Sequence, residues 1–133
     1  MIISTIRAGP YSNYADNQHK TLTIYPSTPG SKVSVDFTSF YLEDYYDYLY
    51  IYNGSSTSAT LIGSYTSTSG PGTVTSTASD GSLTFEFISD AYVNTYGWEE
   101  QFPVLLCQHV PVRFPPVPLF LQLQQPVPVF LSY

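Results

Sequence analysis

Apolar and polar residues alternate with a period of two in four separate parts of this chain. In one of them, Leu49 and Ile51 alternate with Tyr48, Tyr50 and Tyr52. A period of two places apolar side chains on one face of a β-strand, because successive side chains point to opposite sides. The other alternating runs are Leu22–Ile24, Val33–Phe37 and Leu83–Phe87. Before the last 31 residues we find no helical periodicity.

Residues typical of turns lie between these runs. They are Pro29-Gly30, Asn53-Gly54, Gly70-Pro71-Gly72 and Asp80-Gly81. Short strands with turns at this spacing indicate a β-sandwich or a β-barrel. Only 11% of residues are charged and 13 are Tyr, which also favours strands over amphipathic helices. The predicted fold class is all-β.

The net charge of −6 limits the possible partners. Four Lys and Arg residues cannot form the cationic cluster that neutralises nucleic-acid phosphates. Anionic membrane surfaces are disfavoured for the same reason, and we expect no membrane span. The acidic balance favours cationic partners, among them metal ions.

A single cysteine, Cys107, excludes an internal disulfide and a zinc ribbon. Small secreted domains often depend on disulfides, so a bound metal is a plausible substitute source of rigidity. Residues 1–10 lack the apolar run of a signal peptide, and we therefore expect a mature form or a fragment. The hydroxyl-rich composition is typical of a secreted, extracellular protein.

The composition changes sharply near Pro103. All ten acidic residues lie in residues 1–102, whereas residues 103–133 contain seven of the eleven prolines. We therefore predict a folded domain over 1–102 and an extended, Pro-rich hydrophobic tail over 103–133. Proline blocks both helices and central strands, because it fixes φ and lacks an N–H.

The tail also contains a run of alternating leucines. Leu119, Leu121 and Leu123 alternate with other residues, and an extended stretch with Val127 and Val129 follows. The tail is too hydrophobic for a typical linker. A misread stretch and a segment that docks by adding a strand to an exposed sheet edge are the other interpretations. We favour docking on another copy, which would produce a homo-oligomer or an open-ended filament.

Carboxylates are concentrated at two predicted loops. Glu43, Asp44 and Asp47 precede the strand at Leu49. Asp90 ends the predicted strand Leu83–Ser89, and Asn94 and Gly97 follow it in another predicted loop. Like charges brought together raise one another's pKa unless a cation is present. Calcium takes six to eight oxygen ligands. Glu43, Asp47 and Asp90 with loop carbonyls could hold calcium, and the alternative is that these acids are solvated loop residues.

From about Tyr14 to Phe102 the chain resembles a CUB domain of the compact, calcium-binding type found in secreted bacterial proteins. The matching segments are, in order, Asn13-Tyr14-Ala15-Asp16-Asn17, Leu22-Thr23-Ile24-Tyr25-Pro26, Gly30-Ser31-Lys32-Val33, Phe37-Thr38-Ser39-Phe40, Leu42-Glu43, Tyr46-Asp47-Tyr48-Leu49-Tyr50-Ile51-Tyr52-Asn53-Gly54, Leu61-Ile62-Gly63-Ser64-Tyr65, Ser82–Phe87, Ser89-Asp90 and Gly97-Trp98. The resemblance covers about two thirds of the chain. It implies a jelly-roll sandwich of two antiparallel sheets.

The resemblance also implies a calcium site. The family's three acidic ligands fall on Glu43, Asp47 and Asp90. Its tyrosine that hydrogen-bonds the ligand carboxylates falls on Tyr14, and its loop oxygen falls on the carbonyl of Val93 or on neighbouring Asn94. In the family this site orders the loops, and its carboxylates often accept a cationic lysine from a partner.

The sequence departs from the family at three positions. Tyr25 and Ser82 stand where bacterial relatives often have cysteines, so calcium and packing must contribute more to stability. Asn53 replaces the aspartate usual before the hairpin glycine, and it still suits a turn with positive φ.

Catalysis is disfavoured. Glu43 with Asp47, or Glu99 with Glu100, could act as the paired carboxylates of a glycoside hydrolase, but a sandwich of this size rarely forms the deep cleft required. Isolated His19, isolated His109 and Cys107 form no recognisable catalytic motif. We expect Trp98 to be a core residue.

The sequence thus predicts a calcium-stabilised, non-catalytic extracellular module that binds proteins or glycans. A self-assembling filament subunit is the alternative, and a small glycan-active hydrolase is a third interpretation.

Overall fold

The structure is a computed structural model that describes residues 12–102. Within this range the chain forms seven β-strands and no helix. The strands are β1 (His19–Ile24), β2 (Ser34–Tyr41), β3 (Tyr48–Asn53), β4 (Thr60–Tyr65), β5 (Thr73–Thr75), β6 (Leu83–Ile88) and β7 (Gly97–Gln101).

The strands form two antiparallel sheets. One has the order β1-β6-β3-β4 and the other has the order β5-β2-β7. This arrangement confirms the predicted all-β sandwich. The four alternating runs of the sequence lie in β1, β2, β3 and β6, and Gly97, which we assigned to a loop, begins β7. The proposed tail lies outside the described residues.

Alternate residues of both sheets fill the space between them. Leu49 and Ile51 of β3 and Phe85 and Phe87 of β6 are completely buried. Trp98 is 1% exposed and its ring contacts Phe87 edge-on, which confirms that it belongs to the core. Burial of each such side chain stabilises the fold by about 1.5–3 kcal/mol, so these residues hold the two sheets together.

Strand register gathers five strand termini at one end of the sandwich. In the first sheet Ile88, the last residue of β6, pairs with His19 and with Tyr48, which begin β1 and β3. In the second sheet Tyr41, the last residue of β2, pairs with Gly97 at the start of β7. The loops that precede or follow these residues therefore meet, and we call this end of the sandwich the loop end.

The opposite end is held by the side chain of Asn53. Its Oδ1 accepts hydrogen bonds from the backbone N–H groups of Thr77 at 2.9 Å and Ala78 at 3.0 Å, and its Nδ2 donates to Thr77 Oγ1 at 2.7 Å. Nearby, Gly81 has a φ of +72°, and a Cβ at this position would lie 2.1 Å from the carbonyl oxygen of Ser31. Only glycine fits this turn.

Tyrosines line the outer face of the four-stranded sheet. The rings of Tyr48 and Tyr50 stack with centroids 5.7 Å apart, and Tyr52 Oη donates to Glu86 Oε2 at 2.8 Å. His19 Nε2 lies 2.7 Å from Glu86 Oε1. Both oxygens of this carboxylate are therefore engaged within the face, and His19 has a structural partner there.

Candidate metal centre

Three acidic residues meet at the loop end. Asp47 directly precedes β3 and Asp90 lies two residues after β6, so the pairing of these strands places them side by side. Glu43 comes from the loop that follows β2. Each residue offers one carboxylate oxygen, and these three oxygens lie within 4.8 Å of one another.

Asp47 is the central and most buried member of this cluster, with no exposed surface. Its Oδ1 accepts a hydrogen bond from the backbone N–H of Asp90 at 2.9 Å, and its Oδ2 accepts one from Tyr14 Oη. Burial nevertheless raises the pKa of Asp47 above its usual value, against the opposing effect of these two bonds. A nearby cation would stabilise the charged form of a carboxylate that is buried in this way.

Glu43 supplies a buried oxygen that lacks a hydrogen bond. Its Oε2 has no hydrogen-bond partner among residues 12–102. Desolvation raises the pKa of Glu43, and the negative charges of Asp90, Asp47 and Asp16 raise it further. An acceptor that is desolvated, unpaired and surrounded by like charge indicates a position where a cation would bind.

Tyr14 connects the acidic residues to the core. Its Oη accepts a hydrogen bond from the backbone N–H of Glu43 at 3.0 Å in addition to donating to Asp47. The ring is buried and contacts Phe87 edge-on at 5.1 Å. Burial, followed by the bond to Asp47, raises the pKa of Tyr14 to about 12, so the phenol remains a neutral donor.

The loop that carries Glu43 is fixed by residues on both sides of it. Buried Leu42 anchors its start, and the backbone N–H of Leu42 donates to the carbonyl of Ser67 at 2.9 Å. Thr66 Oγ1 donates to the carbonyl of Glu43 at 2.9 Å and accepts from the backbone N–H of Tyr45 at 3.3 Å. These bonds hold the Glu43 backbone in place beneath the cluster.

The loop after Asp90 is fixed by the segment before β1. Asn13 Nδ2 donates to the carbonyl and to Oδ1 of Asn94, at 2.9 Å and 3.0 Å, while Asn94 Nδ2 donates to Asp16 Oδ1 at 2.8 Å. The side chain of Asn94 is therefore engaged by these two residues. Val93 is exposed and has a φ of +38°. Of the two predicted loop ligands, Asn94 is thus already engaged by Asn13 and Asp16.

The sequence reasoning missed four residues that support the cluster. Asn13 and Asp16 hold the loop after Asp90, Thr66 holds Glu43, and Thr95 Oγ1 donates to the carbonyl of Tyr41. The resemblance singled out the segment Asn13–Asn17, but it assigned a role only to Tyr14. Nothing in the local pattern reveals these contacts, because they join residues 23 to 81 positions apart.

The chemistry of the cluster fits a hard cation. All three ligand groups are carboxylates, and neither histidine nor cysteine belongs to this group. Calcium prefers oxygen ligands, whereas zinc sites in proteins usually include nitrogen or sulfur. The buried oxygen of Glu43 and the mutual repulsion of the acids agree with a cation of this type.

The other candidate residues do not belong to the cluster. Glu99 and Glu100 are adjacent on β7, so their side chains point to opposite faces and cannot act as a pair. Asp44 is exposed. The remaining candidates lie outside the described residues: Cys107, His109, Leu119, Leu121, Leu123, Val127 and Val129.

Exposed tyrosines flank the cluster along the chain. Tyr45 and Tyr46 lie between Glu43 and Asp47, and Tyr92 lies just after Asp90. These three rings are between 62% and 76% exposed. Three exposed aromatic rings close in sequence to an acidic cluster indicate a candidate interaction surface.

Two comparisons with known proteins bear on this site. The family model described as the CUB domain matches residues 3–102. A search of curated proteins found no match. No helix long and apolar enough to cross a membrane occurs in residues 12–102. CUB domains are in general non-catalytic protein-interaction modules, occur mostly in extracellular proteins and often bind calcium. The match covers most of the chain, and the chain therefore belongs to the CUB domain family.

Proposed function

We propose that this CUB domain binds one calcium ion through Glu43, Asp47 and Asp90. We propose further that the calcium-ordered loop end binds a cationic group of an extracellular protein. The observation that carries the proposal is the convergence of three carboxylate oxygens within 4.8 Å. One of the three residues has a buried oxygen without a hydrogen bond in the described part of the chain.

The residues around the cluster would prepare it for the ion. Tyr14 and the backbone of Asp90 orient the two oxygens of Asp47, and the carbonyl of Val93 would add a neutral ligand. A bound calcium ion would neutralise the repulsion among the carboxylates. Because Glu43 and Asp90 lie on different loops, one ion would also fix these loops relative to each other.

The charge of the chain supports a cationic partner. All ten acidic residues lie in residues 1–102, against two cationic residues, Lys20 and Lys32, in the described range 12–102. The exposed rings of Tyr45, Tyr46 and Tyr92 could contact the alkyl chain or the ammonium group of a lysine. We propose a protein partner because a neutral glycan offers no charge to this acidic surface.

The proposed function is non-catalytic. A carboxylate that acts as nucleophile or general base must reach its substrate, but the carboxylate of Asp47 is completely buried. Its two oxygens are also held by Tyr14 and by the backbone of Asp90. This arrangement suits a structural ligand.

Thermal unfolding of the full chain tests the calcium site. A ligand that binds only the folded state raises the melting temperature by mass action. We expect calcium to raise it relative to excess chelator, and we expect Asp90→Asn to remove the increase. Asp44→Asn is the matched control, because it removes the same charge from an exposed residue beside the cluster. An equal calcium response in Asp90→Asn and Asp44→Asn would contradict the proposed site.

Binding to peptides tests the partner. A lysine-containing peptide should bind the full chain in calcium and dissociate in chelator, whereas the same peptide with norleucine in place of lysine should not bind. Tyr92→Ala should weaken this binding without changing the calcium response. Binding to neutral glycans but not to the lysine peptide would show that the proposed partner class is wrong.

A further inference from the structure

The sandwich is open along one side. β4 is the last strand of its sheet, β5 is the last strand of the other, and a cavity of about 370 Å³ lies between them. Ile62 and Tyr65 of β4 line this cavity together with Pro71 and Val74. The rest of the lining is polar and consists of Asn53, Thr73, Thr75 and Thr77, so the cavity combines apolar and polar side chains between two strand edges.

β4 has the features of a strand that accepts another strand. Among the described residues it pairs only with β3, so the backbone groups on its other edge are available. Leu61 and Ile62 are 49% and 39% exposed. An exposed apolar edge of this length is an aggregation hazard unless something covers it.

The described part of the chain ends just after β7, on the edge of the three-stranded sheet opposite β5. Asp36 in β2 pairs with Gln101 at the end of β7 and with Thr73 at the start of β5. Gln101 and Thr73 therefore lie in one row, about 10 Å apart across two strand spacings. Thr73 lines the cavity, so residues that follow Phe102 begin about 10 Å from it, on the other side of β2.

The tail contains a segment of suitable length and pattern. Residues 119–125 lie between Pro118 and Pro126 and contain no proline, so each can donate its N–H to a neighbouring strand. This seven-residue run is close in length to the six residues of β4. Residues 103–118 can span about 50 Å when extended, which exceeds the distance required.

We propose that residues 119–124 of the same chain add a strand to the free edge of β4. Leu119, Leu121 and Leu123 share one face of such a strand, and they would pack against the apolar part of the cavity lining, Ile62, Pro71 and Val74. The same chain is the occupant because the tether formed by residues 103–118 can span the distance to the cavity and gives a high effective concentration. The sequence alone favours another copy, and the position of Gln101 shifts the proposal to the chain's own tail.

Amide hydrogen exchange of the full chain tests this docking. We expect amides of β4 to exchange about tenfold more slowly than they do in Leu121→Asp, which corresponds to a docked fraction of about 90%. Gln122→Asp is the matched control, because it adds the same charge on the opposite face of the strand. It should leave the protection of β4 in place. Neither substitution lies within the described domain.

Two substitutions in β4 give a second matched pair of variants. Ile62→Asp should remove the protection of residues 119–124, whereas Leu61→Asp should largely preserve it, because Ile62 lines the cavity. Far-UV circular dichroism checks that both variants remain folded. Equal protection of β4 in the parent and in Leu121→Asp would overturn the proposal. Protection that grows with protein concentration would also overturn it, in favour of docking between copies.

Discussion

Tyr14 donates its phenolic hydrogen bond to Asp47, a residue 33 positions further along the chain. The same oxygen accepts the backbone N–H of Glu43 at 3.0 Å. One buried hydroxyl thus orients a carboxylate and fixes the loop that carries a second carboxylate. The acids of the candidate metal centre are therefore supported from the core side of the domain as well as by their own loops.

Replacing this hydroxyl should weaken both the fold and the site. Tyr14→Phe leaves Asp47 Oδ2 and the N–H of Glu43 without their partner, so we expect a loss of about 1–3 kcal/mol in the free energy of unfolding. Urea unfolding in calcium and in chelator measures it. Tyr46→Phe, which removes an exposed hydroxyl, is the control. Equal stability of the two variants would contradict a structural role for Tyr14 Oη.

Terbium should report on the cluster directly. Terbium binds oxygen ligands in place of calcium, and nearby tyrosines sensitise its emission. Tyr14 contacts Asp47, so we expect strong emission on excitation of tyrosine and loss of this emission on addition of calcium. Asp47→Asn should reduce the terbium affinity at least about tenfold, as expected when a charged metal ligand is lost. Asp44→Asn should retain it, and emission that survives unchanged in Asp47→Asn would place the ion elsewhere.

Two glycines with similar backbone angles should respond differently to alanine. Gly72 has a φ of +66° and open space where a Cβ would lie, so Gly72→Ala should cost about 1–2 kcal/mol for the left-handed backbone alone. At Gly81, with a φ of +72°, the added Cβ also overlaps the carbonyl of Ser31. Gly81→Ala should therefore cost about 3–5 kcal/mol. Denaturant midpoints measure the difference, and equal costs would show that the backbone near Ser31 relaxes.

Alkaline pH should destabilise the fold through Tyr52. Burial, and then the hydrogen bond to Glu86, raise the pKa of Tyr52 from 10.0 to about 12. The folded state then holds more protons than the unfolded state between these values, so the free energy of unfolding falls as pH rises from 10 to about 12. Below pH 10.0 the contribution of protonated Tyr52 to the free energy of unfolding is fully present.

The phenylalanine variants isolate this effect. Tyr52→Phe should be less stable than the parent at neutral pH. Between pH 9 and pH 11, about one unit on either side of the ordinary tyrosine pKa, its free energy of unfolding should fall less than that of the parent. Tyr50→Phe keeps a ring on the same face, and its stability should change with pH as that of the parent does. Urea midpoints at the two pH values measure the slopes, and parallel slopes in all three proteins would rule out Tyr52 as their source.

The strands could be predicted from the sequence because their signal is local. Alternation around Leu49 and around Phe85 identified β3 and β6, and the turn residues around Gly81 marked the gap before β6. The order β1-β6-β3-β4 could not be predicted, since alternation shows which face is buried but not which strand is the neighbour. Gly97 was misplaced in a loop because glycine is a weak strand signal.

The acidic cluster could be predicted only in part. Spacing alone left Glu43, Asp47 and Asp90 as either ligands or solvated acids, and the family resemblance favoured the role of ligands and added Tyr14. The contribution of Asp16 was missed, because it depends on Asn94, 78 residues away. Long-range contacts of this kind follow from strand register, and register has no local sequence signature.

Different interactions hold the two ends of the sandwich, so we expect local unfolding to affect one end more than the other. At the loop end the proposed ion would join Glu43 to Asp90, whereas the opposite end depends on the amide of Asn53 and its bonds to Thr77 and Ala78. Removal of calcium would loosen the first end and leave the second closed. Local unfolding would then begin at the loop end only, and the calcium concentration would set how often that end opens.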